Sequence, residues 1–394
     1  MNTLPRLSRR ARWAIPAGAV ALAGALTAGT MISTAQASPE LPVRTPAQLL
    51  ASVAGRDAPL PALTGTVVET ASLGLPQLPN SSDPNSSTAL LAGSHTIKIW
   101  YADPTHIRLA EPLTMSETDL IRNGRQVWVW QSSSNTVTRM QLPAREGGVP
   151  GSPGAVPSQL PLTPQQAASQ ALKAVGPSTR VSVQRNVTVA GQPAYQLVLS
   201  PKASGSLIGR VAIAIDATRN VPLRVQVFAK GAASPAFQVG YTSVSFVKPA
   251  AANFSFTTPA GAKVKVVSPP RETSGPMSGK HKQASGEPQV VGKDWLSVAV
   301  LPASALAGLA GAGSASSVAG DAAQSAAGSP GGGNGEDAAV AAALPKTATP
   351  VHGAWGSGKL LHTSLVSVLM TSDGHVLVGA VTPAVLESAA AQIK

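Results

Sequence analysis

The chain of 394 residues has no cysteine, few aromatic residues and few charges. Without cysteine there is no disulfide-stapled scaffold, no cysteine-ligated zinc or iron–sulfur site and no thiol enzyme. Six Trp, three Tyr and five Phe leave no material for a large aromatic core. Charged residues are 12% of the chain, about half the roughly 25% usual for soluble domains. That scarcity excludes a coiled coil, which needs charged flanking positions. What is abundant is glycine, with 37 residues, and proline, with 34. Much of the chain is therefore turn and linker. Hydrophobic residues reach 43%, but many are alanine, which buries little area. The length suggests two or three domains at about 100–200 residues each.

The first 37 residues have the layout of a signal peptide. Arg6, Arg9, Arg10 and Arg12 form a basic stretch with no acid nearby, and residues 14–32 carry no charge. Ala35-Gln36-Ala37 then offers small residues at the two positions a signal peptidase reads, which places cleavage after Ala37. The alternative is an uncleaved anchor helix, for which the apolar stretch is long enough. Ser8-Arg9-Arg10 is a weak twin-arginine signal, weakened by Arg12. No cysteine follows the apolar run, which excludes a lipobox anchor. Removing the four arginines lowers the net charge from +12 to +8. Such a surface suits anionic headgroups or wall polymers, or carries its positives as scattered, solvated charge.

Two helices are marked by their caps. Thr45-Pro46-Ala47-Gln48 and Thr163-Pro164-Gln165-Gln166 each place a hydroxyl N-cap, a proline and then a glutamine at N3. Leu49, Leu50 and Val53 form the first apolar stripe, and Ala167, Ala171, Leu172 and Val175 the second, with Gly55 and Gly176 as stops. Most of the rest up to residue 267 alternates as strand. The segments are 64–70, 95–102, 105–110, 118–122, 126–131, 136–142, 180–189, 194–199, 210–216, 223–229 and 236–246. Asn123-Gly124 is a strong hairpin signal, and Ala190-Gly191 and Arg219-Asn220 mark further turns. Ten or eleven strands in meander order predict one large antiparallel sheet over 45–267.

Prolines and glycines over 268–289 mark a flexible linker. In the C-terminal region, 290–394, a strand is expected over 290–301 and a short helix over 303–309. The Ala/Gly/Ser-rich insert 311–343 has too few large apolar groups to pack and is expected to be disordered. A hairpin about Ser372-Asp373-Gly374 and a helix capped by Thr382 with Pro383 complete a small α+β region.

No catalytic constellation emerges. The six histidines are scattered, with no H-E-x-x-H, and there is no G-x-S-x-G elbow. Gly353 to Lys359 imitates a phosphate loop, but Leu360 stands where a hydroxyl would bind magnesium, so a turn is the better account. Leu344-Pro345-Lys346-Thr347-Ala348 imitates a sortase signal without the membrane span and basic tail that should follow. Basic and aromatic residues do not interleave as in single-strand nucleic-acid binders. No metal, cofactor or nucleic acid is expected.

What remains is an apolar set in neighbouring strands: Ile97, Ile99, Tyr101, Ile107, Leu109, Trp128 and Trp130. These residues form either ordinary core or the wall of an apolar cavity closed by Leu49, Leu50 and Val53 of the first helix.

Residues 253–264, with Phe254 and Phe256 followed by Pro259-x-Gly261-x-x-Val264, resemble the end of the LolA-like lipoprotein-carrier domain. Residues 98–109, with Trp100-Tyr101 and Asp103-Pro104, the stretch Arg122-Asn123-Gly124-Arg125, and Asp216 to Val225 are similar to the same group. The match covers roughly 45–267 and is nearest to the exported actinobacterial members, themselves similar to the N-terminal domain of the sigma-factor regulators RseB and MucB. The resemblance implies a strongly bent antiparallel sheet, a half-open barrel whose cavity is plugged by helices. It implies an exported, non-enzymatic protein at the outer face of the cell membrane or beyond, binding lipid or a lipidated protein segment. An acyl chain gains about 0.8 kcal/mol per buried CH₂, so such a cavity needs no special polar group. The alternative is an RseB-like regulatory module that grips a membrane-bound partner protein.

Overall fold

The computed structural model describes residues 39–54, 60–73, 92–142, 162–173, 175–267, 289–302 and 348–393. All belong to one compact unit, Pro39–Lys394. The expected signal segment 1–37, the helix 303–309 and the insert 311–343 lie outside the described residues, as does the linker up to residue 288.

Both capped helices form where the capping boxes place them. Helix α1 spans Pro46–Ala54 and α2 spans Pro164–Lys173. At α1 the Thr45 N–H donates to Gln48 Oε1 at 2.8 Å while Thr45 Oγ1 accepts from the Gln48 N–H at 3.2 Å. At α2 Thr163 and Gln166 repeat the exchange at 2.9 and 3.3 Å. Each box satisfies two backbone donors that a helix start otherwise leaves open.

The large sheet has twelve strands. The first six are β1 (Leu63–Ser72), β2 (Ala92–Asp103), β3 (His106–Leu113), β4 (Ser116–Asn123), β5 (Gln126–Gln131) and β6 (Thr136–Gln141). After α2 come β7 (Thr179–Val189), β8 (Gln192–Pro201), β9 (Ile208–Asp216), β10 (Pro222–Ala229), β11 (Phe237–Ser245) and β12 (Lys263–Val267). The order is β12-β6-β5-β4-β3-β2-β1-β11-β10-β9-β8-β7. The expected single meander is thus two, one of β1–β6 and one of β7–β11. They are joined where β1 pairs with β11. Strand β12, not expected from the sequence, runs parallel to β6 at the far edge.

The sheet stays open, with β12 and β7 at its two edges. Ile97, Leu109 and Leu120 from one half share a single core with Leu197, Ile213 and Ile215 from the other, and Leu49, Ala167 and Ala168 of the helices join it. This is the half-open, helix-plugged arrangement: α1 lies against α2 and β7, and α2 against β10 and β11. We call the side of the sheet that carries this core the inner face.

The described part of the C-terminal region holds more strands than expected. It forms a six-stranded antiparallel sheet of β13 (Gln289–Val291), β14 (Val298–Pro302), β15 (Thr349–Gly353), β16 (Gly356–His362), β17 (Ser367–Thr371) and β18 (His375–Gly379), in the order β13-β14-β18-β17-β16-β15. Helix α3, Pro383–Ala390, buries Leu386 against it. The expected strand 290–301 is two strands separated by a 3-10 turn at Asp294–Leu296. Gly292 and Asp294, both at positive φ, break its run. The phosphate-loop lookalike is the β15–β16 hairpin turn.

Candidate functional site

The candidate site is the inner face beneath α1 and α2. Period-two alternation puts Ile97, Ile99 and Tyr101 on one side of β2. The pairs Ile99↔Leu109 and Tyr101↔Ile107 carry that side into β3. All five residues belong to the core or pack against it. Ile97 is fully buried, and Tyr101 and Ile107 are half-buried. Leu49 of α1 is fully buried in the same core, with Leu50 and Val53 packed against it.

The two tryptophans do not belong to this set. Leu109 pairs with Leu120, and Leu120 with Val129. The inner face of β5 is therefore Val127 and Val129. Trp128 pairs with Ile121, and Ile121 with Arg108, on the opposite, outer face. Trp130 stands there between Asp119 and Val137. This corrects the expectation of one seven-residue apolar face. The outer rings have their own cover: the Trp128 ring lies 6.0 Å from that of Phe256. Phe254, two residues earlier, meets the His106 ring edge-on at 5.7 Å and accepts a bond from Asn123 Nδ2 at 3.4 Å. The phenylalanine pair that carries the family resemblance thus lines the strap from β11 to β12, outside the core.

The sequence did not flag the polar groups of the inner face. Glu69 pairs with His95 across β1 and β2, and His95 Nδ1 lies 3.1 Å from Glu111 Oε1. All three are buried. Glu69 Oε2 accepts the backbone N–H of Leu162 at 2.8 Å, just before the cap of α2. Burial pushes the Glu69 carboxyl above its usual range, opposed in part by the Leu162 N–H and by His95. At the other end of the plug, Gln165 Nε2 donates to Tyr241 OH at 3.1 Å and to Pro222 O at 3.3 Å. Burial pushes the Tyr241 hydroxyl up to about 12. Helix α2 and the residue before its cap are thus tied to the sheet by three hydrogen bonds. The helix's own buried side chains are Pro164, Ala167 and Ala168, with Ala171 and Leu172 packed against the same core. A buried Glu in a strand is a signal in hindsight only, since Glu69 is a lone acid in an apolar segment.

The arrangement offers apolar area beneath two short helices, with the buried Glu69, His95 and Glu111 group at one end of it. No group of three or more His, Asp or Glu suited to a metal ion occurs among the described residues. Among them, too, no helix is long and apolar enough to cross a membrane.

No protein-family model matches the chain, and no curated protein matches it. Solved structures do. One is the Pseudomonas aeruginosa MucA/MucB complex, in which the matching chain is 15% identical, with 88% of this chain and 96% of that chain covered and a TM-score of 0.38. A LolA-superfamily protein from Nitrosomonas europaea is 10% identical, covering 54% of this chain and 99% of its own, with a TM-score of 0.22. A lipoprotein-sorting protein domain from Vibrio parahaemolyticus is 11% identical over 52% of this chain and 94% of its own, with a TM-score of 0.21. These are the two groups that the sequence resembles.

Proposed function

We propose that this is an exported, non-enzymatic binding module that takes up a lipid or a lipidated protein segment against the inner face of its half-barrel. The ligand displaces α2 and meets Ile97, Ile99, Tyr101, Ile107 and Leu109 from the sheet and Leu49, Leu50 and Val53 from α1. The observation that carries this is the plug itself. Helix α2 is seated through Pro164, Ala167 and Ala168, with Ala171 and Leu172 packed beside them, and through hydrogen bonds to Glu69, Tyr241 and Pro222. Its apolar contacts are mostly alanine, so an acyl chain at about 25 cal/mol per Å² can replace them. An acyl chain that replaces it gains more per residue of length than the alanines lose.

A second reading rests on a different observation. The small sheet is joined to the large one through main-chain bonds. Leu207 N donates to Ala380 O at 2.9 Å, and Thr382 N to Gly205 O at 2.8 Å, around a bridge between Ser206 and Val381. A fixed two-sheet surface suits a regulator that grips a membrane-bound partner protein.

Methyl NMR with palmitoyl lysolipid separates the two. Uptake on the inner face shifts the methyl signals of Ile97, Ile99 and Leu49 saturably. It leaves Ile121, equally buried but on the outer face, in place. Unshifted inner methyls at saturating lysolipid would overturn the carrier reading and favour the regulator.

A further inference from the structure

The outer face of the large sheet has a groove that the inner-face reading does not use. It has a volume of about 300 Å³ and is lined by Thr64, Thr66, Lys98, Trp100, Ser243 and Ser245, over the backbone of Gly65, Ile99 and Val244. That volume is at the lower end of the roughly 300–1,000 Å³ of small-molecule sites.

Its floor is set by register. The pairs Thr64↔Ser245 and Thr66↔Ser243 place four hydroxyls side by side on two strands. None of these hydroxyls has a hydrogen-bond partner among the described residues. One wall is Trp100, which pairs with Thr64 on one side and Arg108 on the other. The Arg108 guanidinium lies 5.4 Å from the Trp100 ring centroid. Arg108 is in turn held by the buried carboxylate of Asp119. The indole is therefore held by a cation that is itself anchored, and Trp100 stays half-exposed. Lys98, paired with Thr66, is exposed, and no acid forms an ion pair with it among the described residues. Asp119, the acid two strands away in the same row, is committed to Arg108. Arg224 adds a second cation farther along this face, with no acidic partner among the described residues. Its stem lies over Gly240, where a Cβ would come within 2.8 Å of Arg224 Cγ.

An outer sheet face is ordinarily a flat, solvated surface. Here a shallow, open groove crosses it, and its three chemistries converge on one kind of ligand. An indole face stacks on the C–H face of a pyranose ring. A row of hydroxyls with free valences matches sugar hydroxyls. An unpaired ammonium takes a carboxylate or phosphate. We propose that this groove is a binding site for an acidic sugar unit of an anionic glycan, with the ring on Trp100, its hydroxyls on Thr64, Thr66, Ser243 and Ser245, and its acidic group on Lys98. The net charge of +8 that remains without the four arginines of residues 1–37 draws such a polymer to the surface. The site is independent of the inner face: it needs no movement of α2 and no apolar chain.

Calorimetric titration of the full chain tests this with tetragalacturonate, uncharged maltotetraose and inorganic phosphate in separate runs. Tetragalacturonate binds saturably, and added salt weakens it. Maltotetraose and phosphate, each carrying half of the chemistry, bind at least about tenfold more weakly. Lys98→Gln weakens tetragalacturonate by about fivefold or more, and so does Thr66→Val with Ser243→Ala, as expected when a hydrogen bond to a charged or hydroxyl partner is lost. Lys98 and Ser243 are exposed, and Thr66 is half-buried and exchanged for a side chain of the same shape in a strand, so these variants keep the parent melting temperature to within about a degree or two. Trp100→Ala abolishes binding, and the surface variants keep the test decisive should that protein fail to fold. Three outcomes overturn the proposal: no heat with tetragalacturonate, affinity unchanged in both surface variants, or capture by phosphatidylglycerol vesicles without any binding of the oligosaccharide.

Discussion

The rings of Trp128 and Phe256 meet at 6.0 Å with planes inclined by 38°, on the side of the sheet away from the core. Both are half-buried, so Trp128→Ala costs less than the roughly 3–5 kcal/mol of a fully buried ring. A double-mutant cycle with Phe256→Ala gives a coupling of about 0.5–1.5 kcal/mol, measured by urea unfolding. Trp128→Ala leaves lysolipid binding unchanged. Loss of lysolipid binding at unchanged stability would place the ring on the wrong face.

Gly65 permits a close crossing. A Cβ there would lie 2.6 Å from Ser243 O and 2.8 Å from the Tyr241 ring. Gly65→Ala must push β1 away from β11 or turn Tyr241 out of its bond with Gln165. It is expected to lower stability by about 1–3 kcal/mol or more, read as a fall in the urea midpoint. A neutral Gly65→Ala would mean that Tyr241 has room to move.

Glu69 predicts a dependence on pH. Burial raises its carboxyl above the usual glutamate range. The folded state therefore holds the proton more tightly than the unfolded chain. Its contribution is fully present below the unfolded value and is lost as pH rises through the raised folded value. Glu69→Gln removes that decline while keeping an oxygen for the Leu162 N–H. Urea midpoints from about pH 4 to 8 should show the variant more stable than the parent at the neutral end. A variant that is less stable there would show that the charge on Glu69, not its oxygen, holds α2.

Trp295 ties the C-terminal segment to the large sheet. Its Nε1 donates to Thr179 Oγ1 at 2.7 Å, and its ring belongs to the core of the half-barrel. Trp295→Phe loses the bond and costs about 0.5–1.5 kcal/mol. Trp295→Ala opens a cavity and costs about 3–5 kcal/mol. Unfolding midpoints check both, and equal losses would show that the hydrogen bond carries most of the attachment.

The elements with local signatures were legible in the sequence. Capping boxes at Thr45 and Thr163 placed both helices, and Asn123-Gly124 placed the β4–β5 hairpin. The face of Trp128 was not, although the alternation of β5 was. Within a strand, period two says which residues share a side. Which side joins that of the next strand depends on the length of the turn between them. The turn from β3 to β4 is Thr114-Met115, two residues with Leu113 opposite Ser116. Neither has the glycine or asparagine that announces such a turn. Counting through it would have set Ile107 and Leu109 against Val127 and Val129. Strand β4 gave no help, because Leu120 and Ile121 are both apolar and both buried. Strand β12 escaped for another reason: its partner β6 lies more than a hundred residues earlier, and no local pattern encodes a parallel pairing at an edge.

The seam between β1 and β11 has a consequence for how the protein is made. Residues of β1 are separated from their β11 partners by most of the large sheet's length. Each meander can form from local hairpins as the chain emerges. Strand β1 has only β2 beside it until β11 arrives, and the core shared by both halves cannot close before then. Closing so distant a pairing is slow, and an unpaired strand edge invites association with other chains in the interval. A chain truncated before residue 237 should accordingly aggregate on synthesis, while one extended through Val267 should stay monomeric.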